Sequence, residues 1–243
     1  MKLITWNCNM AFRKKLDVVL QHKPDILVIQ ECEHPDKIKF SSENKPNDAL
    51  WFGGNMNKGL GIFSYSNYRL KLHKTHNPEL KLIAPVKVFN EESNLLLYAI
   101  WAHNPQDKDG PYITQIWKAL AHYKRLIRKT NTILAGDFNS NTIWDRPRRE
   151  GNHSTVVQRL AAKEIHSVYH KYYNQQQGRE AHATHYLYRH KERPYHLDYC
   201  FASNDLIQNL HSVEIGEFDV WKQYSDHMPV IVTFNDIELR RSA

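Results

Sequence analysis

Short apolar runs that stop abruptly at a polar residue recur along this chain, and no other feature constrains its fold as strongly. Leu3–Trp6, Asp25–Gln30, Gly59–Tyr65, Lys81–Phe89, Leu95–Trp101, Thr132–Ala135, Tyr195–Phe201 and Pro229–Phe234 are short and apolar, with many β-branched or aromatic residues. Such runs, bounded by turn residues, predict strands buried on one or both faces. Amphipathic patterns lie between them. Phe12, Leu16, Val19 and Leu20 share one helical face, as do Ile113, Ile116, Trp117, Leu120 and Ile127, and Val156–Lys163 is a shorter third pattern. The elements are mixed in order rather than strictly alternating, which favours a layered α/β sandwich over a barrel. A length of 243 residues suits one domain spanning 1–243, with Glu33–Asp48, Asn141–His153 and Asn174–Thr184 as loops.

Composition excludes several classes. With 41% hydrophobic and 24% charged residues the chain is not disordered, and no apolar run is long enough to span a membrane. Cys8, Cys32 and Cys200 are odd in number and fit no zinc spacing. Together with the lack of a charged-then-apolar leader, they predict a reduced, cytoplasmic setting. Thirty-three Lys and Arg against 26 Asp and Glu leave a net charge of +7. That balance suits a polyanion, whether nucleic acid, an anionic membrane surface or a phosphorylated metabolite. No obligate protein partner is indicated, and a monomer is expected.

The chemistry is written where polar residues interrupt the strand ends. Asn7 closes the first run and Glu31 the second; His103 and Asn104 follow Leu95–Trp101; Asp137 and Asn139 follow Thr132–Ala135. Asp198 interrupts Tyr195–Phe201, and Asp226-His227 precede the last run. In open α/β folds, strand ends converge at one sheet edge, where ligands bind. Four carboxylates gathered there (Glu31, Asp137, Asp198 and Asp226) would repel one another unless a cation neutralised them. All-oxygen ligands select a hard divalent ion, Mg²⁺ first and Mn²⁺ as a substitute. A metal, a base and hydrogen-bond donors together describe water attack on a phosphoryl group.

These residues also carry a resemblance. Thr5-Trp6-Asn7, Gln30-Glu31, Lys58-Gly59-Leu60-Gly61-Ile62-Phe63-Ser64, Gly136-Asp137-Phe138-Asn139-Ser140, His196-Leu197-Asp198-Tyr199 and Ser225-Asp226-His227-Met228-Pro229 resemble the motifs of the endonuclease/exonuclease/phosphatase superfamily. They occur in that family's order from residue 3 to residue 232. The resemblance implies a four-layer α/β/β/α sandwich of two mixed sheets flanked by helices, and a metal-dependent phosphodiesterase or phosphatase. It further implies Glu31 as the main metal ligand, assisted by Asp226, with Asn7 orienting the metal shell or a phosphate oxygen. Asp137 becomes the base or water-positioning group, and Asn139 a donor to phosphate or water. His227, oriented by Asp198, becomes the donor to the scissile phosphate.

The branch within the family is less defined. Abasic-site endonucleases usually carry Asp where this chain has Asn9, and Tyr where it has His103. A histidine there resembles the deoxyribonuclease I, sphingomyelinase and phosphatase branches, where it assists the leaving oxygen. The stretch before Leu197-Asp198 holds Tyr195 and His196 rather than the abasic branch's aromatic pocket. Nucleic acid is the leading substrate, because Trp144, Arg146, Arg148 and Arg149 form an aromatic and basic loop just after the Asp137 motif. Arg189, Lys191 and Arg193 form a second basic cluster. Trp144 reads equally as a base-stacking platform or a loop anchor. A phosphatase or phospholipase of the same fold is the alternative, and an inactive binding domain is disfavoured because the expected ligands are all retained. Cys8 and Cys32, each one position from a site residue, should point into the core.

Overall fold

The computed structural model describes residues 1–80, 82–103 and 112–235. Its strands are β1 (Lys2–Asn7), β2 (Ile26–Cys32), β3 (Asp48–Asn55), β4 (Lys58–Ser64), β5 (Arg69–Leu72), β6 (Ile83–Phe89), β7 (Asn94–Trp101), β8 (Thr132–Asp137), β9 (Ile165–Ser167), β10 (His185–Tyr186), β11 (Pro194–Tyr195), β12 (Asp198–Ser203), β13 (Leu210–Ile215) and β14 (Val230–Phe234). The helices are α1 (Leu16–Leu20), α2 (Ile113–His122), α3 (His153–Ala161), α4 (Val168–Tyr173), α5 (Asn204–Ile207) and α6 (Phe218–Trp221). None of them is long and apolar enough to cross a membrane.

Two six-stranded sheets form, in the orders β13-β14-β1-β2-β4-β3 and β5-β6-β7-β8-β12-β9. Period-2 alternation makes them layers. In β2, Ile26 and Val28 enter the core between the sheets, while Leu27 and Ile29 join an outer core with Phe12, Leu16, Val19 and Trp221. In β7, Leu95, Leu97 and Ala99 face the other sheet, while Tyr98 and Ile100 pack on Ile116, Leu120, Val156 and Leu160. Three apolar layers between four layers of structure follow from strands that are buried on both faces. Cys8 and Cys32 are fully buried in the outer core and Cys200 in the central one.

Register brings the interrupted strand ends together. β1 and β2 are parallel with Asn7 beside Gln30, and β7 and β8 are parallel with Trp101 beside Asp137. β12 runs antiparallel to β8 so that its first residue, Asp198, lies opposite Asp137. β14 runs antiparallel to β1, which puts the residues just before it at the same edge. Carboxyl ends and amino ends therefore meet along one rim.

Several elements differ from the sequence expectation. Phe12–Leu20 is a 3₁₀ turn, Phe12–Lys14, followed by the separate α1, and α2 ends at His122, short of Ile127. Residues Asn9, Met10 and Ala11, ahead of the 3₁₀ turn, all have left-handed φ of 50–64°. The buried Glu33 carboxylate accepts from the Phe12 and Arg13 amides at 2.7 and 3.1 Å, anchoring that turn from outside the helix pattern. Tyr195–Phe201 splits into β11 and β12 around His196-Leu197. β3, β5, β9 and β13 lie outside the apolar runs, being short or half-exposed strands without a continuous signal. Asn104 lies outside the described residues.

Gly136 is required immediately before Asp137. Its φ is +150°, and a Cβ there would overlap the Ile100 carbonyl oxygen of the adjacent strand. Gly136→Ala is expected to destabilise the fold by at least about 3 kcal/mol. For a chain of this size that lowers Tm by roughly 6–12 °C, read from a circular-dichroism melt. A melt within about 1 °C of wild type would contradict the close approach of β7 to β8 at Gly136.

Candidate active site

Asp137 ends β8 fully buried, yet both its oxygens are engaged. Oδ1 accepts from the Asn139 backbone amide at 2.8 Å, and Oδ2 accepts from Asn139 Nδ2 at 2.9 Å and Asn7 Nδ2 at 3.1 Å. The Asn7 bond crosses from one sheet to the other, and Asn139 reaches back because its φ is left-handed at 46°. Burial and the nearby Asp198 raise the Asp137 carboxyl to about 7, although these donors pull the other way.

His227 precedes β14, and its Nδ1 lies 2.8 Å from Asp198 Oδ2. Thr184 Oγ1 accepts from the amides of Leu197 and Asp198, both at 2.9 Å, fixing the start of β12. The Trp6 indole donates to the His227 carbonyl at 2.9 Å, and the Ser225 hydroxyl donates to the Asn7 carbonyl at 2.7 Å. Burial alone would lower the His227 imidazole, but Asp198 and then Asp137 outweigh it and raise it to about 10. The ring is therefore an imidazolium at neutral pH, with Nδ1–H donating to Asp198.

Glu31 sits on a bulge. The β2–β4 register breaks between Gln30 and Cys32, and Glu31 has a left-handed φ of 58°. The extra residue turns the carboxylate out of the ladder, so it is not the plain strand end the sequence suggests. Lys58 Nζ, at the start of β4, lies 3.0 Å from Glu31 Oε2. Asp226 Oδ1 accepts from Asn9 Nδ2 at 2.9 Å, and Oδ2 is 3.7 Å from His185 Nε2. Burial would raise the Asp226 carboxyl, but His185 and His227 hold it well below the usual range.

His103 lies exposed beyond β7 and stacks on Trp101, with ring centroids 4.7 Å apart and planes 17° apart. Burial, then Lys58, lowers its imidazole. From Asn139 a groove of about 520 Å³ runs past Leu197 to Trp144, Arg146 and Arg149. Trp144 is 45% exposed and packs on Tyr195 at 5.0 Å. The loop carrying it is pinned to α3, because Asp145 accepts from the amides of His153 and Ser154 at 2.7 and 3.0 Å. Arg146 and Arg148 are exposed, whereas Arg149 turns inward to donate to Thr114 Oγ1 at 3.0 Å.

One group has the donor atoms of a cation site. Among the described residues, Asp137, Asp198 and His227 form a buried group whose ligand atoms lie within 4.8 Å of one another. Asp198 Oδ1, in that group, is buried without a hydrogen-bond partner. Glu31 and Asp226 are the more solvent-accessible carboxylates of the rim, with side-chain exposures of 18% and 28%.

The Endonuclease/Exonuclease/phosphatase family matches residues 4–227. The chain belongs to that family. It is accordingly a metal-dependent phosphoric ester hydrolase. No curated protein matches it in sequence. Among solved structures, an AP endonuclease from Archaeoglobus fulgidus superposes with a TM-score of 0.71 at 17% identity, over 97% of this chain and 100% of that one. The 3' phosphatase NExo from Neisseria, bound to a product DNA hairpin, gives 0.68 at 20% identity, over 97% and 99%. AP endonuclease LMAP from Leishmania major gives 0.68 at 14% identity, over 97% and 87%. At these identities the likeness is one of fold. His185 and Thr184 stand in no sequence motif, and Lys58 stands only at the head of a glycine motif. Their signal was absent because each acts through a partner remote in sequence: Asp226, Asp198 and Glu31.

Proposed function

We propose that the chain is a Mg²⁺-dependent nuclease, with Mn²⁺ as a substitute, that hydrolyses phosphodiester bonds of nucleic acid. The observation carrying this reading is the pair of buried assemblies at one rim: Asp137 between Asn7 and Asn139, and His227 on Asp198. Asp137 is the base that takes the proton of the attacking water, oriented by the two amides. Asn139 and Asn7 then turn donors toward water or phosphate oxygen. His227 is the charged donor that holds the oxygen on which negative charge builds, and Asp198 keeps it protonated and aimed.

Glu31 and Asp226 are the residues that would hold the metal, whose chemistry is to polarise the phosphoryl oxygen. Accessible carboxylates on the rim fit a hard cation. The buried trio fits it less well, since an imidazolium offers no lone pair and Asp137 already accepts three N–H groups. His103 is the group that assists the leaving oxygen. Trp144, packed on Tyr195, and Arg146 form the substrate wall, with Arg148 exposed on the same loop.

Purified protein with Mg²⁺ or Mn²⁺ should cleave labelled duplex, single-stranded or abasic DNA, or RNA, and Glu31→Ala should abolish the cleavage. Turnover of a lipid or sugar phosphate, with every nucleic acid left intact, would sink the reading. The second reading is removal of a terminal phosphate from nucleic acid, favoured by the exposed His103 at the rim and consistent with the Neisseria 3' phosphatase. Release of inorganic phosphate from a 3'-phosphorylated oligonucleotide, without chain shortening, identifies it. Trp144→Ala is expected to raise KM for an oligonucleotide about tenfold, since stacking on one base is worth about 1–3 kcal/mol. The kcat should stay within about twofold, and an unchanged KM would assign Trp144 to loop anchoring alone.

A further inference from the structure

Lys58 touches two parts of the rim at once. Its Nζ is 3.0 Å from Glu31 Oε2 and 5.2 Å from the centroid of the Trp101 ring, which in turn stacks on His103. The contact is built into the sheet. The bulge at Glu31 falls where β2 passes Leu60 and Gly59 of β4, next to the residue from which the lysine stem emerges. Glu31 is held by its strand on both sides, whereas Lys58 carries its ammonium on a flexible stem and is one-third exposed. Of the two partners, the lysine is the one that can leave.

Two carboxylates of this rim already have partners. Glu31 has Lys58, and Asp226 has His185 with the Asn9 amide. A divalent cation arriving at Glu31 makes the ammonium at the same carboxylate a like charge at contact distance, which is strongly unfavourable. We propose that Lys58 is the ion-free partner of Glu31, that it yields the carboxylate to the divalent cation, and that the displaced ammonium becomes a phosphate-binding group beside His103. This rests on the reading of Glu31 as a metal ligand. The Trp101 ring face attracts the ammonium and keeps it in the cleft after it leaves Glu31. Cation and substrate are then coupled through one side chain: a phosphate that draws Lys58 away tightens the cation, and the cation tightens the phosphate by the same factor.

The test is a titration with Mn²⁺ alone, reading free ion by electron paramagnetic resonance, on wild type, Lys58→Met and Glu31→Gln. Lys58→Met is expected to bind Mn²⁺ on the order of tenfold more tightly, because a competing charge is gone. At saturating Mn²⁺ the same variant should show a raised KM for an oligonucleotide. Equal or weaker Mn²⁺ binding by Lys58→Met overturns the exchange. Wild-type Mn²⁺ affinity in Glu31→Gln instead overturns Glu31 as a ligand, so the two failures are distinguishable. A measurement on the unmodified protein stands beside the variants: with ¹³C-labelled lysine, one side-chain resonance should shift in step with Mg²⁺ binding. Lysine resonances that stay fixed up to Mg²⁺ saturation also overturn the exchange.

Discussion

Asp137→Asn is expected to lower kcat/KM by about 10²–10⁴-fold, the range that a positioned acid–base group supplies. It should also remove the acidic limb of the pH profile. The proposed base works only when ionised, and burial beside Asp198 raises its carboxyl from 3.8 to about 7. Wild-type activity should therefore climb as pH rises through about 7 rather than through 4. The same shift has a sign for stability. A carboxyl raised in the fold contributes stability that is complete below its unfolded value, and loses that contribution as pH rises through the folded one. The measurement is kcat/KM against pH for both proteins at fixed Mn²⁺, with matching near-ultraviolet circular dichroism to show that the variant folds. A variant within tenfold of wild type, or a wild-type limb near pH 4, would remove Asp137 from the role of base.

Asp198→Asn acts at the other end of the profile. His227 is raised from 6.5 to about 10 against its own burial, chiefly by Asp198. Without that carboxylate, burial dominates and the imidazole loses its proton at a far lower pH. The alkaline limb should move from near 10 to neutrality or below. At pH 8 kcat should fall about 10²–10³-fold, as when one charge-stabilising donor is removed. The fold should suffer too, because breaking a buried ion pair costs about 3–5 kcal/mol. An imidazole raised in the fold contributes stability that is present below 6.5 and lost as pH passes 10, so the variant's Tm deficit should be largest in mild acid. Titration of the His227 ring by ¹⁵N NMR reads the shift directly. An unaltered His227 titration would show that Asp198 does not hold its proton.

How much of this was legible beforehand depends on the range of the interaction involved. β1, β2, β4, β7, β8 and β14 were readable as apolar runs because burial on both faces leaves a continuous signal in consecutive residues. β3 and β13 were not, being half-exposed strands whose place depends on a neighbour: β3 on β4, β13 on β14. Among site residues, Asp137, Asn139 and His227 stood out because each follows or precedes such a run. Their meeting depends on β12 lying antiparallel to β8 and on an amide reaching across from the other sheet, neither of which is local. His185 gave no signal, since a histidine in a turn-rich stretch gains significance only beside Asp226 and His227. Trp144 and Arg149 were both read from the loop's composition, and only the fold separates them. Both line the groove, but Trp144 is exposed over it, while Arg149 turns inward to donate to Thr114.

The sequence by itself determined the layered class and the candidate chemistry, because side-chain period and the polar residues at strand ends are properties of consecutive positions. It also determined the family, through motifs that are short but ordered along nearly the whole chain. Tertiary structure alone decided which carboxylate is paired with which cation. Asp137 became a raised acid, Asp226 a lowered one, and Glu31 a partner of Lys58. The reason is physical: a carboxylate's charge state depends on its burial and on charges a few ångströms away, and those neighbours are set by sheet register rather than by sequence distance.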